Sequence, residues 1–264
     1  MIDQSTLLSF LNMFADERQL EKDYLLNLML KSISVSNVSN YLEFKGGTAL
    51  YIMHGLDRFS EDLDFSYIGD ADEAAAKIDG LLNQVINNFG LSYSITKQKG
   101  NILIRNREAE LEGIRSEFFV EGPLFGRNHT RHKIKIDISL RKDRVSKPIA
   151  AKFVSKYYDI GTILVYAMPI EEMLAEKLCA IIERNKARDL YDAFFIMKYK
   201  GIAPDENLIA KKMEFRSEEF DTKMLVKGTK TINEREWKEE LKYLVKELPD
   251  LKAVKDFVIS KLEN

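Results

Sequence analysis

The 264-residue chain holds a single cysteine, Cys179, so it can close no disulfide within itself. A lone thiol suits a reducing compartment, and the cytoplasm is the expected setting. Its three histidines include His129-x-x-His132, which has no third nitrogen or sulfur ligand nearby and so does not point to a metal. Five prolines are too few for a polyproline or linker-rich architecture. No apolar run approaches the roughly 20 residues of a membrane-spanning helix, so no membrane partner is expected. Near the start, Asp3 and Asp16 flank a short apolar stretch without the basic n-region of a secretory leader, and none is expected. Neither sign of charge dominates. The net charge of -2 excludes a uniformly basic polymer binder of the histone type.

What is present is ordinary globular material, 45% hydrophobic and 31% charged, enough for a core that needs neither disulfide nor metal. Helical spacing over 5–34 is followed by strand patterns at 41–45, 63–67, 91–95, 101–104, 114–120, 133–140 and 161–166. Helices are expected between them at 48–54 and 71–89. From Pro169, which suits a first helical turn, only helical periodicity remains: 170–183, 187–200, 234–248 and 253–262. The pattern predicts an α+β fold with a strand-containing domain over residues 1–168 and a helical domain over 169–264. Trp237, Tyr243 and Phe257, at helical spacings, are expected in the core of the last helices.

Chemistry concentrates in Phe44-Lys45-Gly46-Gly47-Thr48-Ala49-Leu50 and Arg58-Phe59-Ser60-Glu61-Asp62-Leu63-Asp64-Phe65. Two glycines between a strand and a helix permit a tight turn and expose amides that suit a phosphate. Asp62 and Asp64 lie two apart at the start of a strand, so both carboxylates share one face while Leu63 and Phe65 take the other. Paired carboxylates repel unless a cation lies between them, and hard oxygen ligands suit Mg²⁺. In Lys133-Ile134-Lys135-Ile136-Asp137-Ile138 the isoleucines fill one face and leave Asp137 on the other. A neighbouring strand with this third aspartate completes a two-metal site of the kind that clamps the oxygens of a phosphoryl transfer.

On the helix after Pro169, Leu174, Leu178 and Ile181 form an apolar stripe with Lys177 at its edge. Lys177 either snorkels to solvent or turns its charge towards a triphosphate. Asp192, on a partly aromatic helix face, needs a partner, with Lys177 or Arg188 as candidates. Asp189 is available to Arg184. From Arg127 to Lys147 basic residues outnumber acidic ones, and Arg131, Lys133, Lys135 and Arg141 form the candidate nucleic-acid surface. Strand alternation also puts Lys133 and Lys135 on the face of Asp137, within reach of a nucleotide. Lys97, Lys99, Arg105 and Arg107 form a second basic group.

Taken together, Gly46-Gly47-Thr48-Ala49-Leu50 and Arg58-x-Ser60-x-Asp62-x-Asp64-Phe65 resemble the signature of AbiEii-type nucleotidyltransferase toxins. Glu21-Lys22-Asp23-Tyr24, Glu176-Lys177-Leu178 and Arg184-x-Lys186-x-Arg188-Asp189-Leu190-Tyr191-Asp192 are similar to further stretches of that family. The resemblance runs from about residue 20 to residue 200 and leaves the last sixty or so unmatched. It implies a DNA-polymerase-β-like domain with a mixed sheet, a Mg²⁺-dependent transfer of NMP from an NTP, and a cognate antitoxin. It implies that Asp62, Asp64 and Asp137 bind metal and that Gly46, Gly47, Thr48 and Ser60 hold phosphates. Lys177 would neutralise the phosphates, and Asp192 would position it or assist the chemistry. The acceptor suggested by some relatives is the 3′ end of a tRNA. The alternative is a nucleotide-binding toxin or regulator without transferase output.

Overall fold

The computed structural model describes residues 2–69, 71–90, 93–105, 111–215 and 220–263, with the side chains of 71–76 and 96–101 outside the description. Asp3 caps the short helix α1 (Gln4–Leu8), and Asp16 caps α2 (Glu17–Ser34) by accepting the Gln19 amide at 2.8 Å. There follow β1 (Leu42–Lys45), α3 (Gly46–His54), β2 (Leu63–Tyr67), α4 (Ala71–Gly90), β3 (Ile95–Arg105) and β4 (Leu111–Glu121). A single turn, α5 (Phe125–Asn128), leads into β5 (Arg131–Ser139), β6 (Ile149–Val154) and β7 (Thr162–Ala167). Among the described residues six helices follow: α6 (Ile170–Glu183), α7 (Ala187–Tyr199), α8 (Glu206–Glu214), α9 (Thr222–Thr231), α10 (Glu234–Leu241) and α11 (Leu251–Leu262).

The chain divides into two compact units. The first comprises Met1–Ala49, Glu61–Arg141 and Ile149–Ala167, and the second Leu50–Ser60, Lys142–Pro148 and Met168–Asn264. A single cut near residue 168 was expected, whereas two earlier segments also belong to the second unit. Hydrogen bonds explain their membership: the Phe59 amide donates to Leu244 O at 2.8 Å, and the Val145 and Ser146 amides donate to Glu172.

In the first unit the strands form one seven-stranded mixed sheet in the order β3-β4-β5-β2-β1-β7-β6. β2 runs parallel to β5, and β1 parallel to β7; the other pairs are antiparallel. One face is apolar, with Phe44, Phe65, Ile114, Phe118, Ile134, Ile136 and Ile138 all buried. The Phe118 ring meets Phe89 of α4 at 6.1 Å between centroids, which places that helix over the apolar face. The opposite face carries the alternate residues, among them Lys45, Asp64, Arg115, Glu117, Lys133, Lys135 and Asp137. Of the strand expected at 91–95, residues 91–92 lie outside the description, and β3 begins at Ile95 and runs on through 101–104. β6 was not expected, because Ala150 and Ala151 blur the alternation that marks a strand.

In the second unit α6 packs on α7, α8 and α9, while α7 packs on α10 and α11. The Trp237 indole is buried and donates to Pro249 O at 3.0 Å. Tyr243, expected in the core, is 76% exposed. Helix α10 stops at Leu241, short of the expected residue 248, because the Leu244 amide closes a turn onto Leu241 O and Leu244 O accepts from Phe59. Helices α8 and α9 were also not expected, since lysines interrupt their apolar spacing. Among the described residues no helix is long and apolar enough to cross a membrane.

Candidate active site

Register builds the first group of charges. Across the polar face of the sheet Arg115 of β4 stands opposite Asp137 of β5, Asp137 beside Asp64 of β2, and Asp64 opposite Lys45 of β1. The row reads plus, minus, minus, plus. Two like charges side by side on neighbouring strands are destabilising by themselves, so the flanking cations are part of what holds the row. Arg115 Nε donates to Asp137 Oδ1 at 2.6 Å. Lys135, two residues before Asp137 on β5, brings its Nζ to 2.6 Å from Asp137 Oδ2 and 3.1 Å from Asp62 Oδ2. Burial works against the Lys135 charge, but Asp137 and Asp62 more than compensate and hold its pKa above the ordinary lysine value.

The turn after β1 fits closely around these carboxylates. Gly46 opens α3 with φ +78°, a left-handed conformation that disfavours side chains. A Cβ built there would lie 2.5 Å from Asp64 Oδ2, so the absence of a side chain leaves room for the carboxylate. Gly47 is the next helical residue, and the buried Thr48 donates its hydroxyl to Asp62 O, tying α3 to the Asp-x-Asp segment. Ser60 lies half-buried in the second unit.

The stretch Glu21-Lys22-Asp23-Tyr24 on α2 is buried throughout, and each side chain reaches a different partner. Glu21 accepts the Leu124 amide at 2.5 Å and lies 2.8 Å from His132 Nε2. Lys22 donates to Lys133 O. Asp23 accepts from the Tyr157 hydroxyl at 2.7 Å, and Tyr24 donates to Asp159 at 2.8 Å. Burial lowers the Lys22 pKa to about 8 despite the nearby charges of Glu61 and Asp62.

A second charged group lies in the second unit, within α6, α7 and the 50–60 segment. Arg58 grips Asp192 with two parallel bonds of 2.9 Å, and Lys177 Nζ adds a third contact to Asp192 at 2.8 Å. Lys177 also reaches Asp189 at 3.3 Å, while Arg184 makes two bonds of 2.8 Å to that same carboxylate. Burial pushes the Asp192 carboxyl up, but Arg58 and Lys177 outweigh it and hold the carboxyl below the ordinary aspartate value. Of the two partners expected for Asp192, Lys177 is present. Arg188 instead lies 3.7 Å from Glu240. Arg58 was missed as a partner, because 134 positions separate it from Asp192.

Of the candidate nucleic-acid residues, Arg131, Lys133 and Lys135 lie on the Asp137 face of β5 and are partly neutralised. Arg131 pairs with Glu121 at 2.8 Å, Lys133 pairs with Glu117 at 2.8 Å, and Arg141 is exposed beside Ser139. The side chains of Lys97 and Lys99, and all of Arg107, lie outside the described residues.

The donor chemistry fits a hard divalent cation, because Asp62 and Asp137 already converge on one positive charge. Among the described residues no three side chains of His, Cys, Asp or Glu form a metal-holding group, and Asp64 is a register neighbour of Asp137 rather than a third arm on one point. Sequence reading missed Arg115, although the alternation of Ile114, Ser116 and Phe118 would have turned it to the Asp137 side.

Solved structures share the fold of this chain. A candidate nucleotidyltransferase from H. pylori aligns at TM-score 0.60 with 22% identity over 94% of both chains. JHP933 from Helicobacter pylori aligns at 0.58 with 22% identity, over 94% of this chain and 91% of the other. The nucleotidyltransferase toxin MenT4 from Mycobacterium tuberculosis aligns at 0.64 with 17% identity, over 99% of this chain and 89% of the other. Comparison with curated proteins finds no match. Residues 28–259 match the family described as nucleotidyl transferase AbiEii toxin of type IV toxin–antitoxin systems, and the chain belongs to that family. It is therefore a nucleotidyltransferase of the toxin class, which implies an NTP substrate and an antitoxin partner.

Proposed function

We propose that the chain transfers an NMP from an NTP to an RNA hydroxyl, with the 3′ end of a tRNA as the acceptor, and that the transfer depends on Mg²⁺. The observation that carries this reading is the shared cation: Asp62 and Asp137 meet one ammonium at 3.1 and 2.6 Å, with Asp64 registered directly beside Asp137. Asp62 and Asp137 would hold one divalent ion, and Asp64 with Asp137 the second. Bound metal supplies charge neutralisation on the triphosphate and a more acidic acceptor hydroxyl.

In the transfer the acceptor oxygen bonds to the α-phosphorus, the bond from that phosphorus to the bridging oxygen breaks, and pyrophosphate leaves while the hydroxyl proton passes to solvent. The chain's own part is positioning and charge placement. The amides of Gly46 and Gly47 and the hydroxyls of Thr48 and Ser60 are assigned to the phosphates. Lys177 is assigned to the charge on the leaving group, and Asp192, gripped by Arg58, fixes the direction of that lysine. Arg131, Lys133 and Arg141 are assigned to the RNA backbone; the contact of Lys135 with both aspartates favours a place at the reacting group.

The test is to incubate the pure protein with Mg²⁺, total RNA and each labelled NTP in turn, and to identify the RNA that gains mass. Label entering a tRNA band with one NTP, and none with Asp62→Asn, is the expected result. NTP binding without any RNA gaining mass would replace the reading with that of a nucleotide-binding toxin or regulator. For the backbone contacts, Arg131→Ala and Lys133→Ala should each flatten the salt dependence of RNA affinity by about one counterion. An unchanged slope in both would make that surface ordinary solvated charge.

A further inference from the structure

We propose that Lys135 is a tethered competitor for the divalent cation, so that the carboxylate group takes up metal together with a nucleotide and resists metal alone; this rests on the metal-dependent reading above. Three observations combine. The Lys135 ammonium lies between two carboxylates, 2.6 Å from Asp137 and 3.1 Å from Asp62, and so holds the place a shared cation would take. Its stem starts on β5, two residues from Asp137, so the ammonium is always near and acts at high effective concentration. It also has little reason to leave. Glu117, the carboxylate registered opposite Lys135 on β4, is engaged by Lys133 at 2.8 Å.

A divalent ion arriving alone must therefore displace an ammonium that loses two charge-assisted hydrogen bonds, in a group where Arg115 already neutralises part of Asp137. A metal–nucleotide complex changes the balance. Its phosphate oxygens replace the aspartates as partners for the displaced ammonium, so Lys135 moves from carboxylate to phosphate without being left unpaired. The same residue opposes metal and favours metal with nucleotide, which couples the two ligands. Lys152 provides the comparison: it is an exposed lysine of the same charge on β6, at the end of the same sheet and outside the row of carboxylates.

The experiment measures Mn²⁺ binding by electron paramagnetic resonance, alone and with a non-hydrolysable NTP analogue, for the full chain and its Lys135→Met and Lys152→Met variants. Lys135→Met should bind Mn²⁺ alone about tenfold more tightly, as expected from removing one contact charge from a partly exposed group. The gain in Mn²⁺ affinity produced by the analogue should shrink in that variant, and Lys152→Met should stay within roughly twofold of the parent in both measurements. Equal Mn²⁺ affinity in the parent and in Lys135→Met overturns the proposal, and so does equal tightening in both lysine variants. If Lys135→Met does not fold, Lys135→Gln is read in its place against the same criteria. Absence of Mn²⁺ binding by every protein, even with the analogue, sinks the metal reading itself. Binding to the parent with the analogue, lost in Asp62→Asn, upholds that reading whatever Lys135 does.

Discussion

Asp137 and Asp192 each meet two basic side chains, yet they sit in opposite surroundings. The Asp137 side chain is 20% exposed and Asp62, which shares Lys135 with it, 46%, whereas Asp192 is fully buried and the Arg58 that grips it only 4% exposed. Charges near water are held less firmly than buried ones, and one partner can leave when another takes its place. Buried pairs are costly to assemble and costlier to break, because the abandoned partner keeps its charge without solvent. Close chemistry therefore serves two ends. The sheet group is suited to trading one cation for another, and the helical group to keeping a lysine pointed in one direction.

The largest expected effect exploits the exchangeable side. Asp62→Asn with Asp64→Asn should lower transfer by roughly 10³-fold or more, because ligand charge is lost where transition-state charge is stabilised. Thermal unfolding should shift by no more than a few degrees, since exposed charges contribute little to stability. A folded double variant that retains transfer would remove the metal assignment and the contrast with it.

Asp192→Ala should behave in the opposite manner, with stability falling by about 3–5 kcal/mol because Arg58 and Lys177 lose their buried partner. The pH dependence fixes the sign. Asp192 is held below the ordinary aspartate value in the folded chain, so its contribution is complete above the unfolded pKa, near 3.9, and is lost as pH falls through the folded value. The stability gap between the parent and Asp192→Ala, measured by urea unfolding, should be flat from pH 5 to 7 and close below pH 4. A gap independent of pH would mean that packing, and not the ion pair, carries the difference.

How much of this was legible follows from the range of each contact. Asp62, Asp64 and Asp137 could be assigned to one face because strand alternation is a local rule, and the register brings Asp64 and Asp137 side by side. The row they form was not legible, since its outer members, Arg115 and Lys45, depend on which strands pair and in what register. Asp192's need for a partner was legible from its aromatic helix face, but the identity of Arg58 was not. β6 was missed at the end of the sheet order, where it pairs with β7, because alanines blur its alternation. α8 and α9 were missed for a related reason: few apolar positions survive among their lysines.

Gly46→Ala tests how closely the exchangeable group is fitted. The substitution combines a left-handed backbone with a Cβ 2.5 Å from Asp64 Oδ2, so either the turn or the carboxylate must shift. A loss of about 2–3 kcal/mol is expected from strain and overlap, with transfer reduced more than NTP binding. Unchanged kcat in a folded Gly46→Ala would show that the position of Asp64 tolerates movement.

The smallest effect concerns Lys22, a buried cation in the same unit as the exchangeable group, whose amine meets the carbonyl of Lys133. Burial lowers its pKa to about 8, against an ordinary value of 10.5, so the folded chain holds this proton less tightly than the unfolded chain. Below pH 8 both states carry the proton and the cost of a buried charge is paid in full. Between pH 8 and about 10.5 the folded state releases it while the unfolded state retains it, and stability rises with pH. The rise should amount to about 1–2 kcal/mol, seen as an upward trend in the urea midpoint from pH 8 to 10. Lys22→Met removes the titrating group and should flatten the trend, while Lys133→Met, which removes only a minor repulsion beside burial, should weaken it slightly. If both variants keep the rise, Lys22 stays charged in the fold, stabilised by Glu61 and Asp62 more strongly than burial opposes it. Lys22 would then count as a further fixed cation beside the carboxylates, and the contrast between an exchangeable sheet group and a fixed helical one would narrow.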